Sequence, residues 1–180
     1  MTPSTNNGFE KVGEKRVFES RVFAVETVDL VSPDGEAFTR DVVRHPGAVA
    51  IIPLHDDGTV SLVRQFRAPV MTALLEAPAG TCDVDGEPLE TTARRELVEE
   101  AGLEAGAMRR LAAVHNSPGY SDQRTTIFVA TDLRPCPTAR SGVEEQWMSV
   151  ERIAVDDVDA LVADGRLVDE TTILGLLLIR

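Results

Sequence analysis

The chain has 180 residues, the length of one ordinary domain, and its 43% hydrophobic content is enough to build a sizeable core. Its 30 acidic and 18 basic residues give a formal net charge of −12, which disfavours binding to nucleic acids and to anionic membranes. An anionic substrate would therefore need a local attraction, which a divalent cation held by carboxylates could supply.

The cysteine content and the apolar runs indicate a cytoplasmic protein. Cys82 and Cys136 match no metal-binding spacing and cannot form a disulfide framework, which is typical of a reducing compartment. The N-terminal twenty residues lack the apolar core of a signal peptide. The run ILGLLLI near the C-terminus is too short to span a bilayer, which takes about 20 residues.

The first half of the chain predicts strands in succession. The first fourteen residues are polar and are expected to be mobile. Strand-forming residues then follow in RVFESRVFAVETVDLV and TRDVVRH, on either side of a Pro-Asp-Gly turn. AVAIIPL and TVSLVRQFR flank the turn HDDG, and ALLEAPAG predicts one more short strand.

Residues 88–102 predict the central helix, because helix-forming types continue without interruption, Pro88 suits the first turn and Gly102 suits a left-handed C-terminal cap. Strands at MRRLAAVH and TTIFVATDL follow, flanking the loop NSPGYSD, and then a short strand around Trp147 to Val150. Two helices end the chain, AVDDVDALVADG and VDETTILGLLLIR, the second with Asp169 as its N-cap.

This order of elements favours a mixed α/β sandwich. It does not fit a doubly wound nucleotide-binding fold, and no glycine-rich phosphate loop opens the central helix.

The central helix carries three glutamates on one face. Glu96, Glu99 and Glu100 fall within about 100° of arc on a helix that turns 100° per residue. Leu97 and Ala101 lie to one side of them and can face the core. Arg95 can pair with Glu99 at i,i+4, which would leave Glu96 and Glu100 without a cation on the helix.

Two interpretations of this cluster stand at this point. A solvated charged face is the commoner role of a charge-rich helix. However, like charges at i,i+4 destabilise a helix by a few tenths of a kcal/mol, which suggests that a cation is missing from the sequence. Hard oxygen ligands at this spacing suit Mg²⁺ or Mn²⁺ better than zinc.

The surrounding string, GTCDVDGEPLETTARRELVEEAGL, resembles the Nudix box: Gly, five residues, Glu, seven residues, then Arg-Glu-apolar-any-Glu-Glu-any-Gly-apolar. The positions in register are Glu87, Arg95, Glu96, Leu97, Glu99, Glu100, Gly102 and Leu103. Gly80 stands seven positions before Glu87 instead of six, which indicates one extra residue in the loop. The resemblance implies a Nudix-type α/β/α sandwich with a mixed sheet.

The resemblance also implies roles for individual residues. Glu96 and Glu100 would ligate a divalent metal, Mg²⁺ with Mn²⁺ as the alternative, together with the backbone carbonyl of Ala79. Glu99 would ligate as well or orient its neighbours during catalysis. In VEEQWMSV, Glu145 is favoured as the base that assists the attacking water, with Glu144 as the alternative. Exposed loop glutamates are, however, more often simply solvated.

The loop NSPGYSD resembles the ADP-ribose pyrophosphatase branch of the Nudix superfamily. Taken alone, Ser-Pro-Gly predicts only a turn, but Pro118 stands fifteen residues after the box, as in that branch. The resemblance implies substrate contacts by Pro118, Gly119, Arg67 and Arg40. For each arginine a surface or ion-pair role is about as common, and Arg64 should lie on the strand face opposite Arg67.

The expected activity is metal-dependent hydrolysis of ADP-ribose to AMP and ribose 5-phosphate. Two alternatives remain: hydrolysis of another nucleoside diphosphate sugar, such as a GDP-linked hexose, and a sensor that binds a nucleotide sugar without cleaving it. Related enzymes exchange an N-terminal lobe across a homodimer. We therefore expect residues 1–45 to form a β-rich dimerisation segment and residues 46–180 the Nudix domain, with Arg40 serving the neighbouring subunit's site.

Overall fold

The computed structural model describes residues 6–180, and the chain divides into two compact units. The N-terminal unit contains the residues up to Gly47 together with His115–Arg124. The main unit contains residues 48–114 and 125–180. The loop that carries Pro118 therefore groups with the N-terminal strands, which the sequence did not indicate.

The N-terminal unit is built on a three-stranded antiparallel sheet. β1 spans Glu10–Glu19, β2 spans Ala24–Val31 and β3 spans Ala37–Arg44, in the spatial order β1-β2-β3. The expectation that the first fourteen residues are mobile is wrong for residues 10–14, because they belong to β1, which pairs with β2 with a register shift between Lys11 and Gly13. For residues 1–5 the same expectation lies outside the described part of the chain.

The described part of the main unit contains one four-stranded and one three-stranded sheet. Their strands are β4 Ala48–Pro53, β5 Thr59–Arg67, β6 Thr72–Glu76, β7 Ala79–Thr81, β8 Leu103–His115, β9 Arg124–Pro135 and β10 Ser149–Ala154. The four-stranded sheet has the order β7-β4-β9-β8, with β4 and β9 parallel and β4 and β7 antiparallel, so the predicted mixed sheet is confirmed. The antiparallel three-stranded sheet has the order β10-β5-β6.

Helices cover both faces of the four-stranded sheet. Helix α1 spans Leu89–Ala101, α2 spans Val158–Ala163 and α3 spans Glu170–Leu178. Successive side chains of a strand point to opposite faces, so Ile51 of β4 packs in one core cluster with Leu97 of α1, and Ile52 packs in another with Leu176 of α3. All four side chains are fully buried, and each such burial stabilises the fold by about 1.5–3 kcal/mol. The predicted α/β/α sandwich is confirmed.

The ends of α1 follow from its flanking residues. Gly102 has a left-handed φ of 63°, and its N–H donates to the carbonyls of Leu97 and Val98. A side chain at Gly102 would also lie only 2.8 Å from the Cys136 carbonyl oxygen, so glycine is required there. The predicted C-terminal cap is confirmed. Pro88, however, is the N-cap and not a first-turn residue, because its ψ of 136° lies outside the helical region.

Two strand predictions were wrong in detail. ALLEAPAG forms two strands, β6 and β7, because Pro78 has no N–H to donate and lies between them. The strand expected around Trp147 starts later, because Glu145–Trp147 form a 3₁₀ turn and β10 begins at Ser149.

Helix α3 begins as predicted. The Asp169 side chain accepts a hydrogen bond from the backbone N–H of Thr172 at 2.8 Å, which satisfies one of the free N–H groups at the start of the helix. Across residues 6–180, no helix is both long enough and apolar enough to cross a membrane.

Candidate active site

The three clustered glutamates of α1 lie at different depths. Leu97 and Ala101 pack into the core as predicted, and this orientation of the helix places the neighbouring glutamates beside β7. Glu96 and Glu100 are 9% and 6% exposed, whereas the Glu99 side chain is about one third exposed. The interpretation as a solvated charged face is therefore wrong for Glu96 and Glu100.

Glu96 lies directly against the backbone of β7. A Cβ atom at Gly80 would overlap the Glu96 carboxyl group, so the sequence can only have glycine here unless Glu96 moves. The extra residue relative to the Nudix box thus lies after Gly80, in the loop before α1, and leaves the contact between Gly80 and Glu96 in place.

Arg95 neutralises part of the cluster. Its Nη1 lies 3.2 Å from Glu99 Oε2, which confirms the predicted pair, and its Nη2 lies 3.6 Å from Glu87 Oε2. The expectation that Glu96 has no helical cation is wrong, because Arg95 Nη1 also lies 2.7 Å from Glu96 Oε1. Helix periodicity points to partners at i,i+4, whereas the Arg95 guanidinium turns toward the carboxylate of the adjacent residue as well.

Glu100 is held by the backbone of the bend between β6 and β7. The Ala79 N–H donates to Glu100 Oε2 at 3.0 Å, so the segment from which a metal-ligating carbonyl was expected does contact a proposed ligand. Because Glu100 is buried in α1 and Ala79 begins β7, this hydrogen bond joins the helix to the sheet.

Burial perturbs both inner carboxyl groups strongly. Burial raises the pKa of Glu96 to about 7; the Arg95 charge opposes this, and the charges of Glu99 and Glu145 add to it. Burial likewise raises the pKa of Glu100 to about 8; the Ala79 N–H opposes this, and the charges of Glu96 and Glu145 add to it. Both carboxyl groups therefore resist ionisation, and a cation bound between them would favour their ionised forms.

The donor atoms fit a hard divalent cation. Carboxylate and carbonyl oxygens are the ligands that Mg²⁺ and Mn²⁺ prefer. Within residues 6–180, no three His, Cys, Asp or Glu side chains converge closely enough to hold a metal ion by themselves. A cation at Glu96 and Glu100 would therefore complete its coordination with backbone carbonyls, water or substrate, as Mg²⁺ commonly does.

Glu145 is the loop glutamate whose charge acts on the buried carboxyl groups of the cluster. Its charge contributes to the raised pKa of both Glu96 and Glu100, and Glu144 is not among the main causes of either shift. Its Oε2 accepts hydrogen bonds from the backbone N–H groups of Ser141 at 2.9 Å and Gly142 at 3.2 Å.

Both loop glutamates line one cavity. Glu144 and Glu145 border a cavity of about 340 Å³ together with Gly142, Val143 and Gln65. Gln65 is only 8% exposed and lies in β5, two residues before Arg67 and therefore on the same strand face. The sequence reasoning did not single out Gln65; the alternation along TVSLVRQFR was the signal that could have found it.

Arg67 lies close to the glutamate cluster. Its Nη2 and Nε contact Glu76 of β6 at 2.5 and 3.0 Å, so the ion-pair role left open by the sequence is present. Burial lowers the pKa of Arg67, but hydrogen bonding to Glu76 and the charges of Glu76, Glu100 and Asp169 outweigh it and raise the pKa overall. Arg64 pairs instead with Glu151 of β10, on the opposite strand face as predicted.

Three predicted substrate residues lie in the N-terminal unit. Arg40 is exposed on β3, with its guanidinium 4.8 Å from the centre of the Phe38 ring. Pro118 and Gly119 lie in a turn whose Tyr120 carbonyl accepts a hydrogen bond from Val43 N–H at 2.8 Å. Arg67 and all the predicted metal and catalytic residues lie in the main unit.

Comparison with known proteins agrees with this arrangement. The chain is 35% identical to the ADP-ribose pyrophosphatase of Mycobacterium tuberculosis, over 94% of this chain and 82% of that protein. It is 34% identical to the GDP-mannose pyrophosphatase of Yersinia pestis, over 83% of this chain and 80% of that protein. The crystal structure of an ADP compounds hydrolase superposes with a TM-score of 0.82 at 26% identity, covering 96% of this chain and 92% of that one. The family model of the NUDIX domain matches residues 44–168, and the chain therefore belongs to the Nudix family.

Proposed function

We propose that this protein is a divalent-metal-dependent pyrophosphatase that hydrolyses ADP-ribose to AMP and ribose 5-phosphate. The observation that carries the proposal is the pair of buried carboxyl groups of Glu96 and Glu100. Glu145 is close enough for its charge to raise the pKa of both, and Arg67 is close enough for the Glu100 charge to raise its own pKa. The named activities of the pyrophosphatase relatives support cleavage of a nucleoside diphosphate sugar, and the Mycobacterium tuberculosis relative supports ADP-ribose.

Each residue of the cluster has a distinct role in this proposal. Glu96, Glu100 and the Ala79 carbonyl would hold Mg²⁺ or Mn²⁺, which supplies charge neutralisation on the diphosphate and lowers the pKa of water. Of the two roles expected for Glu99, orienting its neighbours fits better than ligation, because Glu99 is held by Arg95 and does not converge with Glu96 and Glu100 on one point. Glu145 accepts the proton of the attacking water, and its proximity to Glu96 and Glu100 favours it over Glu144.

Arg67 is proposed to bind a phosphate oxygen of the substrate. Its side chain is 41% exposed although Glu76 is only 7% exposed, so part of the guanidinium remains available beyond the ion pair. A planar guanidinium suits a phosphate group well. Pro118 and Gly119 are further proposed substrate contacts, on the family resemblance alone.

A second candidate substrate is a GDP-linked hexose, because the Yersinia pestis relative is named for GDP-mannose at nearly the same identity. Turnover of an equimolar panel of ADP-ribose, GDP-mannose and other nucleoside diphosphate sugars would separate them. We expect ADP-ribose to give the highest kcat/KM, with AMP released only when Mg²⁺ or Mn²⁺ is present. A higher value for GDP-mannose would refute ADP-ribose as the substrate, and metal-independent binding without cleavage would indicate a sensor.

We also propose that the chain forms a homodimer through the N-terminal unit. Val12, Val17 and Phe18 of β1 are 62%, 54% and 53% exposed, and a sheet with exposed apolar side chains is a surface that a second copy could cover. In this dimer Arg40 would serve the partner's substrate site. Sedimentation equilibrium should give twice the chain mass, and Val17→Glu should shift the protein toward monomer; a monomeric wild type would refute the dimer.

The cytoplasm is the proposed compartment. Cys82 and Cys136 are both free thiols, which suits a reducing environment. Subcellular fractionation should recover the protein with cytoplasmic markers, and recovery with secreted proteins would contradict this.

A further inference from the structure

The bend between β6 and β7 is fixed by hydrogen bonds to three other elements. This bend, Glu76–Ala79, begins at the ion-pair partner of Arg67, Glu76, and ends at Ala79, whose N–H holds Glu100. The Ala77 N–H donates to Thr172 Oγ1 of α3 at 2.7 Å. The Pro78 carbonyl accepts from the Ile51 N–H of β4 at 2.8 Å. The Ala79 N–H donates to Glu100 Oε2 of α1 at 3.0 Å.

The hydroxyl group of Thr172 has a single possible orientation in this network. Thr172 is fully buried, and its hydroxyl donates to Asp169 Oδ2 at 2.6 Å. Because the Ala77 N–H can only donate, the one hydroxyl proton is committed to Asp169 and an oxygen lone pair faces Ala77. Asp169 is in turn fixed as the N-cap of α3 by the Thr172 N–H. The start of α3 therefore presents a directed acceptor to the bend.

The same helix end is linked to the other side of the bend. Arg67 binds Glu76, the residue directly before Ala77, and the Asp169 charge is one of the causes that raise the pKa of Arg67. Because Glu76 and Thr172 are both buried, neither anchor is exposed to competition from bulk water. A change in the position of the α3 terminus would thus be transmitted to Ala77 and, two residues later, to Ala79.

We propose that Thr172 is a positioning residue of the metal site: its hydroxyl fixes Ala77, and the bend so fixed sets the place of the Ala79 backbone and of the Glu100 carboxylate that Ala79 holds. Thr172 contacts neither substrate nor metal and acts only through this hydrogen-bonded path. The inference rests on the proposed metal-dependent function, because it assigns a metal-binding role to Glu100 and Ala79. It makes the C-terminal helix part of the support of the site.

The test is direct Mn²⁺ binding, followed by electron paramagnetic resonance without substrate. Thr172→Val keeps the shape of the side chain but removes the hydroxyl, and we expect the Kd for Mn²⁺ to rise about 10- to 100-fold, as is usual when a residue that orients a ligand is lost. Thr172→Ser keeps the hydroxyl and should bind within about threefold of the wild type. The matched control is Leu176→Ala, which removes a fully buried α3 side chain of the apolar core. It should lower Tm at least as much as Thr172→Val while leaving the Mn²⁺ affinity near the wild-type value.

The outcomes separate this inference from the proposed function. Wild-type protein that binds no Mn²⁺ would refute the metal-dependent function itself. Wild-type protein that binds Mn²⁺, with Thr172→Val binding it equally well, would overturn only the role of Thr172. An equal loss of affinity in Leu176→Ala would also overturn that role, because it would show that any loosening of α3 has the same effect.

A measurement on the wild type covers the case in which Thr172→Val does not fold. If the bend and the metal site are coupled, saturating Mg²⁺ must stabilise the hydrogen bond of Ala77, since coupling between two equilibria is reciprocal. We expect the amide of Ala77 to exchange with solvent at least about tenfold more slowly with Mg²⁺ than with a chelator. An unchanged exchange rate would overturn the inference.

Discussion

Replacing Glu100 by glutamine should stabilise the metal-free protein while abolishing its activity. The Glu100 carboxyl group is 6% exposed and accepts one backbone hydrogen bond, from Ala79. A glutamine amide has nearly the same shape as the protonated carboxyl group and can accept the same bond, but it never ionises. It is also a much poorer ligand for magnesium. Stability and activity should thus change in opposite directions.

The magnitude follows from the shifted pKa of Glu100. Burial raises this pKa from the ordinary value of 4.5 to about 8, with the Glu96 and Glu145 charges adding to the effect. Between these two values the folded chain binds a proton more tightly than the unfolded chain, so the free energy of unfolding falls as the pH rises. At pH 7.5 Glu100 is ionised in the unfolded chain but mostly protonated in the folded chain. Each pKa unit corresponds to about 1.36 kcal/mol, so this difference lowers the free energy of unfolding by about 4 kcal/mol relative to its value near pH 4.

Urea and thermal unfolding in the presence of a chelator would measure this difference. Glu100→Gln should match the wild type near pH 4 and exceed it by about 4 kcal/mol near pH 7.5, a rise in Tm on the order of 10 °C for a chain of this size. Glu99→Gln is the matched control, because Glu99 lies on the same helix turn but is one third exposed and ion-paired with Arg95. Loss of this ion pair offsets the relief of Glu96, so the variant should gain far less stability than Glu100→Gln near pH 7.5. A Glu100→Gln variant no more stable than the wild type at pH 7.5 would refute the reasoning.

Three further variants test other parts of the site. Gly80→Ala should weaken Mn²⁺ binding at least about tenfold, because the added Cβ displaces the Glu96 carboxylate; unchanged affinity in a metal titration would contradict the packing argument. Glu145→Gln should lower kcat about 100-fold or more with little change in metal affinity, and Glu144→Gln should be much milder; a reversed order in steady-state kinetics would assign the base to Glu144. Arg67→Lys should raise KM for ADP-ribose about tenfold by removing the planar fork, and an unchanged KM would restrict Arg67 to its ion pair.

The sequence predicted those features whose causes are local. Helix α1 and its end at Gly102 follow from helix-forming residues and from the left-handed backbone that glycine adopts, and the N-cap at Asp169 follows from side-chain chemistry within four residues. The uninterrupted apolar run AVAIIPL predicted β4 as a buried strand, and both of its faces are indeed covered. Helix periodicity alone also predicted that Glu96, Glu99 and Glu100 share one face of α1.

The features that the sequence did not predict depend on distant residues. Thr172 and Ala77 are hydrogen-bonded although they are 95 positions apart, and no local pattern indicates that the start of α3 meets this bend. The close approach of Gly80 to Glu96 likewise requires β7 and α1 to be packed together. The 3₁₀ turn at Trp147 replaced an expected strand because the Gln146, Trp147 and Met148 N–H groups bond back to residues 142–145 instead of joining a sheet.

The acidic cluster as a cation site is the central claim, and counting bound Mn²⁺ tests it most directly. Electron paramagnetic resonance at millimolar Mn²⁺, with a non-hydrolysable ADP-ribose analogue present, would compare the wild type with the double variant Glu96→Gln and Glu100→Gln. We predict at least one bound Mn²⁺ per wild-type chain and an affinity lower by about 100-fold or more in the double variant. A wild-type chain without bound Mn²⁺, or a double variant that binds it equally well, would contradict the account.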